Sequence, residues 1–314
     1  MKTCLVTGGA GFIGSRLVKQ LLDDGARVRV LDNFSTGSMH NLEDVMHKPE
    51  LSVVNGDVCH LDTCSEQTQS VDQVFHLAAK ISVPESMEDL SGYHAVNVTG
   101  TMNVLQASYQ NKVKRVVNVG SSAAYGVATQ LPITEANAVS FLSPYAATKY
   151  MQEVYAQMMS ESYGLETASL RFFNVFGPGQ DVGSAYAAVI PIFIHRILRN
   201  EPISIYGDGS QTRDFVYVQD VVNALMAAAN ADADKAQGQV YQVASGSKIT
   251  IKALADKLYE LIGQAPNIEF KPPRQGDIQD SYASIDKIAS SLGWKPETSF
   301  VDALKSTIAW HRNK

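Results

Sequence analysis

Short apolar runs bounded by Gly, Asp or Asn recur through the first half of the chain. Residues 4–7, 27–31, 51–54, 74–76 and 115–119 are rich in Val, Leu or Ile, as strands buried on both faces of a parallel sheet are. Between them the period changes. Ile13, Leu17, Val18, Leu21 and Leu22 share one face of a helical stretch, and Val96, Met102, Leu105 and Tyr109 do the same in the next. This alternation predicts an α/β fold: a Rossmann-type doubly wound parallel sheet. After residue 169 the pattern loosens. Gly and Pro gather at Gly177-Pro178-Gly179, Gly207-Asp208-Gly209 and Pro272-Pro273, which predicts a smaller, mixed α/β lobe with long loops. The expected division is residues 1–169, joined by a segment around 214–229, and a second lobe over 170–314.

Composition narrows the possible partners. The chain is 45% hydrophobic and 18% charged, ordinary for a globular enzyme. A net charge of −6 with thinly spread basic residues argues against nucleic acid or an anionic membrane surface as partner. The first strand runs straight into glycines without a basic and apolar leader, and no apolar run approaches the roughly 20 residues that span a bilayer. A cytoplasmic location is expected. Cys4, Cys59 and Cys64 lack metal-ligand spacing and read as ordinary thiols. Asn97-Val98-Thr99 matches a glycosylation sequon that carries no such meaning in a cytosolic chain.

Candidate chemistry begins directly after the first strand. In Gly8-Gly9-Ala10-Gly11-Phe12-Ile13-Gly14, Gly8 permits a tight turn, Gly11 lets backbone approach a pyrophosphate, and Gly14 allows close helix–strand packing. The N–H groups that open the helix would face the phosphates. Asp32 lies 18 residues beyond Gly14, at the end of the second strand. A carboxylate there accepts hydrogen bonds from ribose hydroxyls and repels a 2′-phosphate, so NAD is expected rather than NADP. Asn33, Ser35, Thr36 and Gly37 would line the adenosine end, and Asp57 and Val58 could meet the adenine edge. Asp57 could equally cap the helix near Leu61.

A second constellation lies further along. Tyr145 and Lys149 are four apart in a helix entered through Ser143-Pro144, hence on one face. An ammonium beside a phenol favours the phenolate, making Tyr145 a candidate base near neutral pH. Such a pair alone is usually a surface coincidence. Here Gly120-Ser121-Ser122 follows the fifth strand, at the sheet end where ligands bind. Ser121 or Ser122 could relay a proton to Tyr145, or could simply cap the next turn.

The glycine loop, Asp32-Asn33, His76-Leu77-Ala78-Ala79, Ser121-Ser122, Tyr145-x-x-x-Lys149 and Arg171-Phe172-Phe173-Asn174 together resemble the extended short-chain dehydrogenase/reductase family, and within it the nucleotide-sugar epimerases. The resemblance runs from the first strand to about Trp294. It implies a tightly held NAD, a Ser–Tyr–Lys site in which Ser122 is slightly preferred over Ser121, and cofactor contacts from Leu77, Ala78, Ala79, Lys80, Asn97 and Phe172. It also implies a homodimer joined by helices around residues 96–109 and 145–162. In such relatives 4,6-dehydratases carry an Asp-Glu pair after the loop hydroxyl, decarboxylases an acid and 3,5-epimerases a Cys. This chain has Ala123 and Ala124 there, and epimerisation at C4 needs none of those groups.

The substrate side is likewise implied by the resemblance. Ser82 and Asn174 would contact the sugar or diphosphate, Ala188 and Val189 the uracil, Arg213 and Arg274 the diphosphate, and Tyr206 and Asp277 the substrate. Arginine suits diphosphate through its planar fork of donors. Ser281 aligns with the wall beside the sugar 2-substituent, where a small residue leaves room for an N-acetyl group. The expected reaction interconverts UDP-GlcNAc and UDP-GalNAc, together with UDP-Glc and UDP-Gal, through a 4-keto sugar. Rival readings are a strict UDP-glucose 4-epimerase, a related nucleotide-sugar reductase, and a non-catalytic NAD-binding sensor. His76, His94 and His195 read as structural.

Overall fold

The computed structural model describes residues 1–180, 188–273 and 278–313. Arg274 and Asp277 lie outside the described residues. The strands in chain order are β1 (Thr3–Thr7), β2 (Arg27–Asp32), β3 (Leu51–Asn55), β4 (Gln73–His76), β5 (Arg115–Ser121), β6 (Glu166–Phe172) and β7 (Asn174–Phe176). They continue with β8 (Ile203–Tyr206), β9 (Thr212–Arg213), β10 (Phe215–Tyr217), β11 (Gln239–Val243), β12 (Ile249–Thr250), β13 (Ile268–Lys271) and β14 (Asp280–Ser281). The helices are α1 (Phe12–Asp23), α2 (Leu61–Gln67), α3 (Val83–Glu88), α4 (Leu90–Tyr93), α5 (Gly100–Gln110) and α6 (Pro144–Tyr163). Beyond these come α7 (Val189–Leu198), α8 (Val218–Asn230), α9 (Ala233–Ala236), α10 (Ile251–Ile262), α11 (Asp286–Leu292) and α12 (Phe300–Arg312).

Seven parallel strands form the central sheet in the order β11-β6-β5-β4-β1-β2-β3. All five expected strands are present, because fully buried parallel strands read as unbroken apolar runs. The order reverses between β1 and β4, so the loops after both open onto one crevice at the carboxyl edge. Helices α1 and α8 pack on one face with Leu17, Val18, Val221 and Leu225 fully buried. On the other face α2, α5 and α6 bury Cys64, Val104, Leu105 and Ala156.

Two details depart from the sequence pattern. Met102 and Tyr109 are 42% and 46% exposed; α5 turns Thr101, Val104, Leu105 and Ser108 inward instead. The inner face is half polar, which the apolar period cannot reveal. The sheet also does not stop at residue 169: β6 runs to Phe172, and β11 adds an edge strand against it. The expected return segment is α8, seated against α1, β5 and β6. Trp294 and Ile288 also join the core of this layer.

The second lobe has its own core. Phe193, Ile194 and Ile197 of α7 pack with Leu254 and Leu258 of α10 and Leu304 of α12. Around it lie small sheets: β8 with β13, β7 with β10, and β12-β9-β14.

Candidate active site

The glycine turn is built by exclusion. Gly8 has φ +69°, and a Cβ there would lie 2.8 Å from the Ala78 nitrogen, so the turn after β1 touches the loop after β4. A Cβ on Gly14 would sit 2.8 Å from Gly9 Cα and closer still to the Gly8 carbonyl oxygen. Only glycine lets α1 approach this closely. Gly11 is the N-cap of α1, and no side chain caps that end, which leaves the N–H groups of Phe12 and Ile13 at the mouth of the turn. Asp32 is buried, and its carboxylate accepts the N–H groups of Ala10 and Phe34, each at 2.9 Å. Gly37 packs directly on both of its oxygens. A bare helix N-terminus beside a fixed carboxylate fits a dinucleotide: phosphate at the helix, ribose hydroxyls at Asp32.

Neighbouring residues are held rather than loose. Asn33 donates to Asp57 at 2.9 Å, and Asp57 accepts the Cys59 N–H at 2.8 Å; Val58 is buried beside them. Asp57 therefore closes a turn ahead of α2, whose N-cap is His60. Asn97, fully buried, accepts the Lys80 N–H at 2.8 Å and donates to the Lys80 carbonyl at 3.0 Å, so it shapes the loop after Ala79. The Lys80 ammonium is paired with Glu85 at 2.9 Å and Asp89 at 2.8 Å, which turns it to the protein. Ser82 caps α3 by accepting the Glu85 N–H, the plain role of a loop serine. Leu77 and Ala78 line the crevice edge as half-buried residues, and Phe172 is buried at the end of β6.

Helix α6 presents the candidate catalytic pair. Ser143 accepts the Ala146 N–H at 3.2 Å and Pro144 occupies the first turn, a start that fixes the entry angle. Tyr145 and Lys149 follow on one face, with Lys149 buried. Of the two serines, Ser121 is the one that draws the Tyr145 phenol down; Ser122 opens the following short turn. Ser121 also accepts the Ala123 N–H at 3.2 Å, which occupies a lone pair and leaves its O–H to donate. Strand β5 extends two residues beyond the expected run 115–119 and ends on Ser121, so Ser122, slightly preferred from the sequence, falls in the turn that follows.

Burial dominates the electrostatics. It pushes the Tyr145 phenol above its ordinary value, with the Ser121 hydrogen bond drawing it back. It pushes the Lys149 ammonium down to about 7 against the upward pull of Glu153. The expected preference for phenolate is therefore not present in the protein alone. His76 is pushed down to about 3, by burial first and Lys149 second; bonded to Thr7 at 2.8 Å and Thr101 at 2.9 Å, it is a neutral structural residue, as expected.

The second lobe holds a half-open cavity of about 330 Å³. Asn174, Val189, Tyr206 and Arg213 line it, four of the residues singled out from the sequence, and Ala188 is the exposed residue just before Val189. Ser281 pairs in register with Arg213 across β14 and β9. Arg196, Ser204, Gln211 and Lys271 also line the cavity and were not foreseen. For Ser204 a signal existed: Ile203 and Ile205 are buried, so alternation places Ser204 and Tyr206 together on the other face. Tyr93, edge-on to Tyr145 at 6.5 Å, carried no such signal.

Fold and site together define a Rossmann-type enzyme built around a nicotinamide dinucleotide. The chain belongs to the NAD dependent epimerase/dehydratase family, whose match covers residues 4–244, and it is an NAD-dependent nucleotide-sugar enzyme of the extended short-chain dehydrogenase/reductase type. It is similar to a UDP-glucose 4-epimerase of Mycolicibacterium smegmatis, 36% identical over 99% of this chain and 98% of that protein. Among solved structures it is similar to a UDP-N-acetylglucosamine 4-epimerase from Methanobrevibacter ruminantium in complex with UDP-N-acetylmuramic acid. That match has a TM-score of 0.95 and 38% identity over 99% of this chain and 98% of the other. A third relative is the UDP-glucose 4-epimerase of Thermus thermophilus in complex with NAD, with a TM-score of 0.87 and 33% identity over 99% of each chain.

Proposed function

We propose that the protein is a UDP-sugar 4-epimerase in which Tyr145, Lys149 and Ser121 act on the sugar 4-hydroxyl. The observation that carries this reading is Tyr145 one turn before buried Lys149 on α6, its phenol drawn down by Ser121, on a loop whose next residues, Ser122 and Ala123, offer no carboxylic acid for elimination. The similarity over nearly the whole chain to the three relatives named above as 4-epimerases supports it.

Tyr145 takes the hydroxyl proton, through Ser121 or directly, and later returns it. Bound NAD supplies the reversible hydride acceptance that this chemistry needs. Lys149 stabilises the phenolate whenever it is protonated. The Gly8–Gly14 turn and Asp32 retain the dinucleotide, so that the 4-keto sugar can rotate and be reduced on its other face. The cavity cations Arg213 and Arg196 suit a diphosphate.

For the sugar, we favour acceptance of the N-acetylated pair beside the plain one. Ser281 is small, half-buried and adjacent to Arg213, which supports space next to the 2-substituent. Arg274, a proposed diphosphate contact, and Asp277, a proposed substrate contact, lie outside the described residues. We also propose a homodimer: α5 and α6 display Met102, Tyr109, Val154 and Tyr163 as exposed apolar side chains, with Tyr109 and Tyr163 in ring contact at 5.4 Å. The test is an NMR assay of UDP-Glc, UDP-Gal, UDP-GlcNAc and UDP-GalNAc with purified protein. All four should interconvert within their pairs. Turnover of the plain pair alone would exclude the N-acetyl assignment, and turnover of none would exclude the epimerase.

A further inference from the structure

Behind the catalytic pair lies a buried charge that the reaction itself does not use. Glu153 stands one helical turn beyond Lys149 on the same face of α6, and its side chain is 3% exposed. One oxygen is clamped by Arg171, with Nε at 2.8 Å and Nη2 at 2.7 Å. The other has no hydrogen-bond partner among the described residues, and it presses on Gly120 so closely that a Cβ there could not fit. Gly120 is the residue immediately before Ser121. Arg171 in turn donates to the Tyr125 hydroxyl at 2.6 Å and stacks over the rings of Tyr125 and Tyr150, at 4.8 and 5.8 Å. Gln242 of β11 donates to the same hydroxyl at 2.6 Å. The serine-bearing loop, the Tyr–Lys helix and β6 therefore meet at one carboxylate.

Such an arrangement is costly unless the charge has a task, because a buried ion pair seldom stabilises a fold more than apolar packing would. We propose that Glu153 is a positioning residue for the reaction: clamped by Arg171 and seated against Gly120, its carboxylate fixes the Ser121 loop against α6 and provides the countercharge beneath Lys149. This role rests on the epimerase reading above. Other groups near Lys149 cannot supply that countercharge. His76 from β4 is neutral, Tyr93 from α4 donates its hydroxyl to the Ser82 carbonyl, and Tyr125 is held by Arg171. Lys80, Glu85 and Asp89 satisfy one another. Arg115 on β5 pairs with Glu166 at the far end of the strand, and His94 is exposed.

The sign of the effect follows from the charge. Removing the negative group makes Lys149 release its proton at lower pH, and the uncovered Arg171 cation acts in the same direction on both Lys149 and Tyr145. The whole kcat profile should therefore move to lower pH. The test measures kcat and KM for UDP-glucose against pH in wild type, Glu153→Gln, Glu153→Asp and the double variant Glu153→Gln/Arg171→Met, with thermal unfolding as a check on folding. Glu153→Gln should move the alkaline limb down by about half a pH unit and lower kcat at pH 8 by about threefold, with KM changed less than about twofold; Glu153→Asp should restore the limb in part. Should Glu153→Gln fail to fold, the double variant, which leaves no lone buried cation, should show a smaller shift of the same sign. An unmoved limb in an active, folded Glu153→Gln or double variant overturns the role of Glu153 alone. A wild-type protein that epimerises nothing overturns the preceding reading instead.

Discussion

Gly14→Ala puts one methyl group where the cofactor turn meets its helix. Inside a helix such a change ordinarily stabilises, by about 1 kcal/mol, because alanine loses less backbone entropy than glycine. Here the added Cβ meets backbone atoms on Gly8 and Gly9, the second at 2.8 Å, and neither can rotate away. Overpacking against a fixed neighbour costs about 1–3 kcal/mol, and a backbone neighbour belongs at the upper end. The net loss is then about 2 kcal/mol, or roughly 3 °C in Tm at about 1.5 °C per kcal/mol for 314 residues. Gly11→Ala is the matched control, since its Cβ would meet only the Gly8 carbonyl oxygen, at 3.2 Å. It should shift Tm by less than about 1 °C yet lose NAD, because the methyl occupies the approach to the pyrophosphate. Thermal unfolding of the NAD-stripped variants, with NAD content measured beforehand, separates the two effects. A Gly14→Ala protein as stable as wild type, or more so, would refute the packing argument.

Three further outcomes follow from the same geometry. His76 is neutral in the fold down to about pH 3, whereas in the unfolded chain it protonates near its ordinary value; stability should therefore fall as pH drops below about 6.5, by up to about 1.4 kcal/mol per unit. His76→Gln should flatten that slope in a Tm-versus-pH series, and an unchanged slope would contradict a buried neutral imidazole. Lys149 is pushed down to about 7 by burial, so Lys149→Met should raise the Tm of the NAD-free protein at pH 7 while abolishing turnover; a lower Tm would show that the ammonium is not held at a cost. Ser281→Tyr should lower kcat/KM for UDP-GlcNAc by roughly tenfold or more relative to UDP-Glc, and an unchanged ratio would place the N-acetyl wall elsewhere.

The sheet was legible because each buried strand is a contiguous apolar run closed by a turn residue. The edge strand β11 was not, since Gln239 and Gln242 interrupt it, and the buried Gln242 side chain finds its partner, the Tyr125 hydroxyl, only in the fold. Strands β9, β12 and β14 have two residues each, too few to show any period. At the site, Tyr145, Lys149, Asp32 and the glycines stood out through spacing tied to chemistry. The choice between Ser121 and Ser122 depended on where β5 gives way to a turn, a one-residue matter that apolar patterning does not resolve. Glu153 was invisible for another reason: a glutamate four residues after a lysine on a helix reads as a solvated pair, and only the fold reveals Arg171 and Gly120 around it. Lys80 shows the reverse case, a motif-adjacent cation that the fold commits to Glu85 and Asp89.

The central claim is that hydrogen leaves C4 as hydride, is held within the protein, and returns to the same carbon. UDP-glucose deuterated at C4, incubated with the enzyme in ordinary water, tests this in one NMR and mass-spectrometric reading. The expected product is UDP-galactose that keeps its deuterium at C4, with none formed by Tyr145→Phe beyond about one part in 10²–10⁴ of the wild-type rate. Deuterium lost to solvent, or a product that has shed water, would contradict the account.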